Sequence, residues 1–240
     1  TGTVTNSYNT GSISSTERGE VGGIVGAMTD GTITNAYNTG AISGNGVCIG
    51  GVVGYADATG KDSSGYYGSG SISISNVYNT GAVTGPIQVG GVAGRFQGKP
   101  TQVSTLTDAY NTGTVFAENE QGYAGGVVGF LKDAAVSNVY NTGAVVGQTY
   151  IGGLLGNISY SEGTIKPSIN NAVWTENPDY TPKEGYSTAK DSMGSTYYYD
   201  HYNVDIPATV IKTSWDAMKQ ASTFKDWTGT NAVATTGNAG

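Results

Sequence analysis

The tetrapeptide Tyr-Asn-Thr-Gly occurs five times, beginning at Tyr8, Tyr37, Tyr78, Tyr110 and Tyr140. A Gly-Gly-x-x-Gly follows each one, beginning at Gly22, Gly50, Gly90, Gly125 and Gly152. Such a period constrains the fold more than any other feature, because each repeat must be one structural unit that stacks on its neighbours. The tyrosines lie 29, 41, 32 and 30 residues apart, so the base period is about 30 with insertions. The distance from Tyr to the Gly-Gly pair stays between 12 and 15, which ties both motifs to the same unit.

In the second repeat, Gly31-Thr-Ile-Thr-Asn-Ala-Tyr-Asn is rich in β-branched and aromatic residues. Ala41-Ile-Ser is a second short piece and Ile49-Gly-Gly-Val-Val-Gly-Tyr a third. Gly, Asn, Asp or Ser separates the pieces, which is turn chemistry. Three short strands per repeat are one coil of a parallel β-solenoid. A lone coil cannot bury its apolar face, whereas stacked coils share an interior. Two sets of positions supply that interior: the column Val4, Ile33, Ile74, Leu106 and Val136, and the pairs after Gly-Gly, from Ile24/Val25 to Leu154/Leu155. Parallel crossovers make right-handed winding the expected hand. The 39 glycines suit a coil that turns sharply several times, since Gly supplies positive φ without a Cβ clash, and the second glycine of each Gly-Gly pair is expected to need either positive φ or close backbone approach. Asn9, Asn38, Asn79, Asn111 and Asn141, each before Thr-Gly, suit turns and a side-chain ladder from coil to coil.

The phase of the tyrosines is a separate question. Strand side chains alternate, so the apolar residue four before Tyr and the small residue just before it cannot both face inward along an unbroken strand. Asn6, Asn35, Asn76, Asp108 and Asn138 lie between them. A turn there resets the phase and puts the tyrosines on the outer face, stacked at the sheet spacing of about 4.8 Å. Such a column either offers a platform for sugar rings or only stiffens the solenoid.

At these residues the chain resembles the GLUG repeat of bacterial cell-surface proteins, among them adhesin-like proteins and regions accompanying IgA-cleaving metalloendopeptidases. The pattern is an apolar residue, Asn, a small residue, Tyr-Asn-Thr-Gly, and then Gly-Gly-apolar-apolar-Gly. It fits five times between about residue 2 and residue 157. Where that family often carries Cys before Tyr, this chain has Ser7, Ala36, Val77, Ala109 and Val139, so no thiol role carries over. The resemblance implies a bacterial surface-displayed or secreted, extracellular segment. The expected fold is all-β, a right-handed parallel β-helix (β-solenoid) of about five coils of ~30 residues, closed by a mixed C-terminal cap with one short helix. Residues 1–161 are assigned to the GLUG-type solenoid, 162–228 to a degenerate repeat and cap, and 229–240 to a linker or tail. In the cap, Ile169-Asn-Asn-Ala-Val-Trp aligns with the repeat, Val173 and Trp174 replacing Tyr-Asn, and no sixth Gly-Gly-x-x-Gly follows. Ser214 is a fitting N-cap for a helix over 214–221. Met218 to Trp227 resembles the segment that often closes GLUG regions.

Charged residues make up only 12% of the chain, and a net charge of −7 argues against a nucleic-acid surface. No apolar run is long enough to span a bilayer. The chain opens inside a repeat without a leader, as expected of a piece of a longer protein. Cys48, the single cysteine, reads as a small buried hydrophobe.

Chemistry is sparse. His201 is the one histidine, and without His-Glu-x-x-His a zinc site and protease activity do not follow. Asp30, Asp57, Asp62, Asp108 and Asp133 stand at different places in their coils, whereas a glycosidase needs two carboxyl groups in one cleft. Gly94-Arg-Phe-Gln-Gly98-Lys99 lacks the spacing and the Ser/Thr of a phosphate loop, since Pro100 follows. No catalytic, cofactor or metal residues are assigned. The ligand-contact candidates are Tyr8, Tyr37, Tyr78, Tyr110 and Tyr140, with Tyr66 and Tyr67 in the insertion over 56–70. The sequence thus favours a non-catalytic stalk or scaffold for ligand-binding loops. Its expected partners are glycans or proteins of a host or neighbouring cell, or like chains in a filament. Nucleic acid and a membrane span in this segment are excluded. The rival is a polysaccharide-degrading or carbohydrate-binding β-helix. An ice-binding solenoid, using the column Thr10, Thr39, Thr80, Thr112 and Thr142, ranks below it.

Overall fold

The computed structural model of the chain describes residues 2–60, 70–99, 101–160, 166–196 and 209–218. Four strands make one coil. In the second repeat they are Gly31–Asn38, Ile42–Gly44, Cys48–Gly50 and Val53–Asp57. Equivalent strands of successive coils pair in parallel, Ile33 against Ile74, Tyr37 against Tyr78 and Asn38 against Asn79. The long first strands form a seven-stranded sheet and the second strands a six-stranded one, while the third and fourth share a ten-stranded sheet. The parallel β-solenoid read from the repeats is the fold.

The third apolar piece is two strands rather than one. A bend over Gly51 and Val52 divides it, and the two halves fold closely together. A Cβ on Gly50 would lie 2.0 Å from the Val53 carbonyl oxygen and 2.6 Å from the Gly94 nitrogen. Only in the fifth coil does one strand, Tyr150–Ser159, run through both positions.

Close approach is also the one of the two expected roles that the paired glycines fill. Among the described residues only Gly31 (φ 112°) and Gly185 (φ 82°) are glycines with positive φ. The Gly-Gly pairs are needed for space. A Cβ on Gly51 would meet the Gly91 carbonyl oxygen at 2.1 Å and the Asn79 Cγ at 2.4 Å, and real side chains do not tolerate such distances.

The interior is the shared apolar column the sequence requires. Ile33, Ile74, Leu106 and Val136 are fully buried, as are Val52/Val53, Val92/Ala93, Val127/Val128 and Leu154/Leu155. In the first coil, Val4, Ile24 and Val25 are only partly buried, because no described coil lies over them.

Beyond the fifth coil the pattern loosens without stopping. Ser168–Trp174 continues the long-strand sheet, Ile169 against Val136 and Ala172 against Val139. Ser187–Thr188 joins the second sheet antiparallel. Asp191–Thr196 lies parallel on Tyr150–Ser159 with a register shift between Gly152 and Leu155. A Cβ on Gly152 would meet the Gly194 nitrogen at 2.6 Å, the same distance at which Gly125 faces Gly156. Asp191-Ser-Met-Gly194 is therefore a shortened sixth remnant of the glycine motif. Val210–Lys212 then pairs with Ser168–Trp174. The short helix Trp215–Met218 follows, its Ala217 N–H donating to the Ser214 hydroxyl oxygen at 3.2 Å, as expected of that N-cap. Glu176 ties this end together, accepting from Lys190 at 3.3 Å and from Lys212 at 2.6 Å. The bond from Lys212 chiefly holds its carboxyl below the usual range. Among the described residues no helix is long and apolar enough to cross a membrane. His201, Tyr197–Tyr202, Phe224, Trp227 and residues 229–240 lie outside the described residues.

Candidate functional site

The tyrosine column is set by a backbone turn in the middle of each long strand. Asn6, Asn35, Asn76, Asp108 and Asn138 have φ between 50° and 55°, and Asn171 of the sixth coil has 47°. Asn and Asp are the non-glycine residues that enter this left-handed region most readily. The turn shifts the alternation by one position. Ile33 and Ala36, three residues apart, both point into the core, and Tyr37 points out. Asp108 takes the same conformation as the asparagines and accepts a hydrogen bond from Asn138 Nδ2 at 3.0 Å.

Outside, the rings stack. Centroids are 5.3 Å apart for Tyr8 and Tyr37, then 4.8, 4.8 and 4.7 Å down to Tyr140, with interplanar angles of 10° or less. Tyr8 is 66% exposed, while Tyr140 is buried under Val173 and Met218. Burial pushes the Tyr78 hydroxyl up and raises that of Tyr110 to about 12. A sugar ring packs on a free aromatic face, but each interior tyrosine turns both faces to its neighbours. Only ring edges and a row of hydroxyls face the solvent, apart from the open face of Tyr8. Tyr66 and Tyr67 lie outside the described residues. Thr10, Thr39, Thr80 and Thr112 form an exposed column next to the tyrosines.

Behind the tyrosines runs a second ladder. Asn9, Asn38, Asn79 and Asn111 each donate Nδ2 to the Oδ1 of the next asparagine, at 2.7 to 2.8 Å, and the ladder ends on Asn141. Asn38, Asn79, Asn111 and Asn141 are fully buried. Each also donates to the carbonyl two residues on, as Asn38 does to Gly40 at 2.7 Å. The ladder is as expected, but these asparagines do not adopt the left-handed backbone. Their side chains, not their φ angles, close the Thr-Gly turn.

A polar network on the opposite side was not visible in the sequence. Arg95 lies between the rings of Tyr55 and Phe130, its Cζ 5.8 and 4.7 Å from their centroids. Its Nε is 3.4 Å from Oδ2 of the buried Asp57. Asp57 also accepts from the Tyr55 hydroxyl at 2.8 Å and from the Thr59 N–H at 2.9 Å. Arg95 Nη2 donates to Gln97 Oε1. Burial, then the bond to Asp57, raises the Tyr55 hydroxyl to about 12. Nearby Cys48 is buried as read, donates to Gln88 Oε1 at 3.2 Å, and has its thiol pushed by burial to about 12. A thiol held protonated is a poor nucleophile. This network braces the wall. The pairing of Asp57 with Arg95 spans one coil, a separation no short motif encodes. Among the described residues no three His, Cys, Asp or Glu side chains gather as a metal site would require.

The sequence model of one protein family, the GLUG motif, matches residues 18–43, and GLUG repeats occur in bacterial surface and adhesin-like proteins. No curated protein matches the chain. Among solved structures, a candidate immunoglobulin A1 protease from Bacteroides ovatus is similar, with a TM-score of 0.55 at 20% identity, over 94% of this chain and 73% of that one. At that identity the likeness is one of fold.

Proposed function

We propose that the chain is a non-catalytic structural segment of a bacterial surface-displayed or secreted protein, a stiff stalk that presents its loops to glycans or proteins of another cell. The observation that carries this reading is the unbroken pair of ladders through five coils, tyrosines outside and asparagines inside. Every coil is held by identical side chains of its neighbours, which suits a load-bearing rod. The interior tyrosine faces stack on one another and the groups around Asp57 bond among themselves, which supports a structural part. The fold likeness to a candidate IgA1 protease gives the rival reading a direct assay. Purified chain incubated with human IgA1 should leave it intact, and single-molecule extension should show stepwise loss of coils at high force. IgA1 cleavage that survives repurification would overturn the reading, as would unfolding at forces typical of a loose chain.

A further inference from the structure

The corner between the second and third strands changes depth along the solenoid. The connecting loops are 16–20, 45–47, 86–87, 118–122 and 148–149 in successive coils. The longer loops of the first and fourth coils thus flank the shorter ones of the second and third, leaving a saddle of ≈ 540 Å³. That volume lies within the range of ligand clefts. Its floor is apolar, made by Val47, which is 48% exposed, with half-buried Pro86 and Ile87. Arg18 stands on one wall and Glu118 on the other. Neither belongs to an ion pair among the described residues.

Both walls are held in place. Asn45 Nδ2 donates to the Thr16 carbonyl oxygen at 3.1 Å. Across the saddle, the Glu118 carbonyl oxygen accepts from Gln148 Nε2 and from the Tyr186 hydroxyl, each at 3.1 Å, and the Glu118 N–H donates to Gly85 at 2.9 Å. A binding surface fixed in this way loses little freedom when occupied. Among the described residues no aromatic ring lines the saddle to supply the stacking that favours sugars. Glu17 and Glu20 flank Arg18 in the chain but do not line the cleft. Three coil steps separate the walls, about 14 Å, which an extended peptide crosses in about four residues.

We propose that the saddle binds an extended peptide segment of a partner protein, with an acidic side chain on Arg18, an apolar one on Val47 and Ile87, and a basic one on Glu118. Charge complementarity at such rims sets register and partner choice.

The probe is the blocked pentapeptide acetyl-Asp-Ser-Leu-Ser-Lys-amide, titrated into the whole chain while the methyl resonances of Val47 and Ile87 are followed. Saturable shifts of those methyls are expected. Arg18→Glu should weaken binding about fivefold, because an exposed attraction becomes a repulsion of similar size. The doubly reversed Arg18→Glu, Glu118→Arg should recover it. Arg18 and Glu118 side chains are exposed, so the substitutions leave the core untouched, and an unchanged spectrum elsewhere confirms folding. The proposal is overturned if the methyls do not shift up to the solubility limit of the peptide. It is equally overturned if acetyl-Asp-Ser-Leu-Ser-Asp-amide binds as well, or if chito- or cello-oligosaccharides shift the same methyls more strongly. These outcomes are independent of whether the segment is a stalk, which the force and IgA1 experiments test.

Discussion

Asn141 and Trp174 occupy the same position in consecutive coils and mark where one way of building gives place to another. Up to Asn141, each coil meets a copy of itself: asparagine on asparagine, tyrosine on tyrosine, glycine beside glycine. In the sixth coil Val173 takes the place of Tyr140's successor, and the Trp174 ring fills the space over Gly153, where a Cβ would meet it at 2.2 Å. Its Nε1 donates to the Ser192 hydroxyl at 2.8 Å, and Lys212 Nζ sits 5.0 Å over its ring. Repetition satisfies a side-chain ladder only while a next rung exists. At the end of the stack the last rung must be a residue that needs no copy above it, and a large ring with one donor answers that need.

Intruding on a regular coil should have the largest effect. Gly126→Val would drive a Cβ to 2.1 Å from the Gly153 carbonyl oxygen and 2.4 Å from Asn141 Nδ2. A loss of about 5 kcal/mol, or failure to fold, is expected in urea titration. Gly185→Ala, in the irregular region with open space around it, should cost only about 1 kcal/mol through its positive φ. Trp174→Ala should cost about 4 kcal/mol. Hydrogen exchange should show the loss first in Ser168–Trp174 and Asp191–Thr196, with the first four coils still protected.

Removing a middle rung is the next smaller effect. Asn111→Ala takes one of two acceptors from Asn79 Nδ2 and one of two donors from Asn141 Oδ1, and removes the side-chain partners of the Gly113 carbonyl oxygen and N–H. A cost of about 3 kcal/mol is expected from buried groups left unsatisfied. If calorimetry finds it neutral, the ladder contributes nothing and the comparison loses its basis. Tyr78→Ala gives up two ring contacts outside the core and should cost about 1–2 kcal/mol. A loss of the size caused by Trp174→Ala would contradict the outward placement. The same column predicts alkaline sensitivity. A phenol ionises near 10 in an unfolded chain, but the folded Tyr110 keeps its proton to about 12. Stability from this group is therefore complete below about pH 10 and falls as the pH rises from there towards about 12. Tyr110→Phe should flatten that part of the melting curve.

Much of this was legible in the sequence, because repetition exposes structure. The apolar column from Ile33 to Val136, the asparagine ladder and the outward tyrosines all follow from residues recurring in phase. What was not legible depends on distance rather than pattern. Nothing in Ile49-Gly-Gly-Val-Val-Gly shows that the chain bends into two strands, or which of the two roles, positive φ or close approach, the glycine pair takes. Asp191-Ser-Met-Gly194 had lost too many glycines to be recognised until Gly194 stood beside Gly152. The Arg95 network and the saddle join residues from different coils, and the saddle appears only when loop lengths are compared across the stack.

The outward placement of the tyrosines depends on the left-handed residue that resets each long strand, and Asn76, with φ 54°, tests it most directly. Equilibrium unfolding of Asn76→Gly and Asn76→Val should separate them. Glycine adopts that conformation freely, so the first variant should stay within about 0.5 kcal/mol of the parent. A β-branched residue is a steric outlier there, and the second should lose about 2 kcal/mol or more. Equal stabilities, or a valine variant the more stable of the two, would mean that no such turn exists and that the tyrosines do not stand where this account puts them.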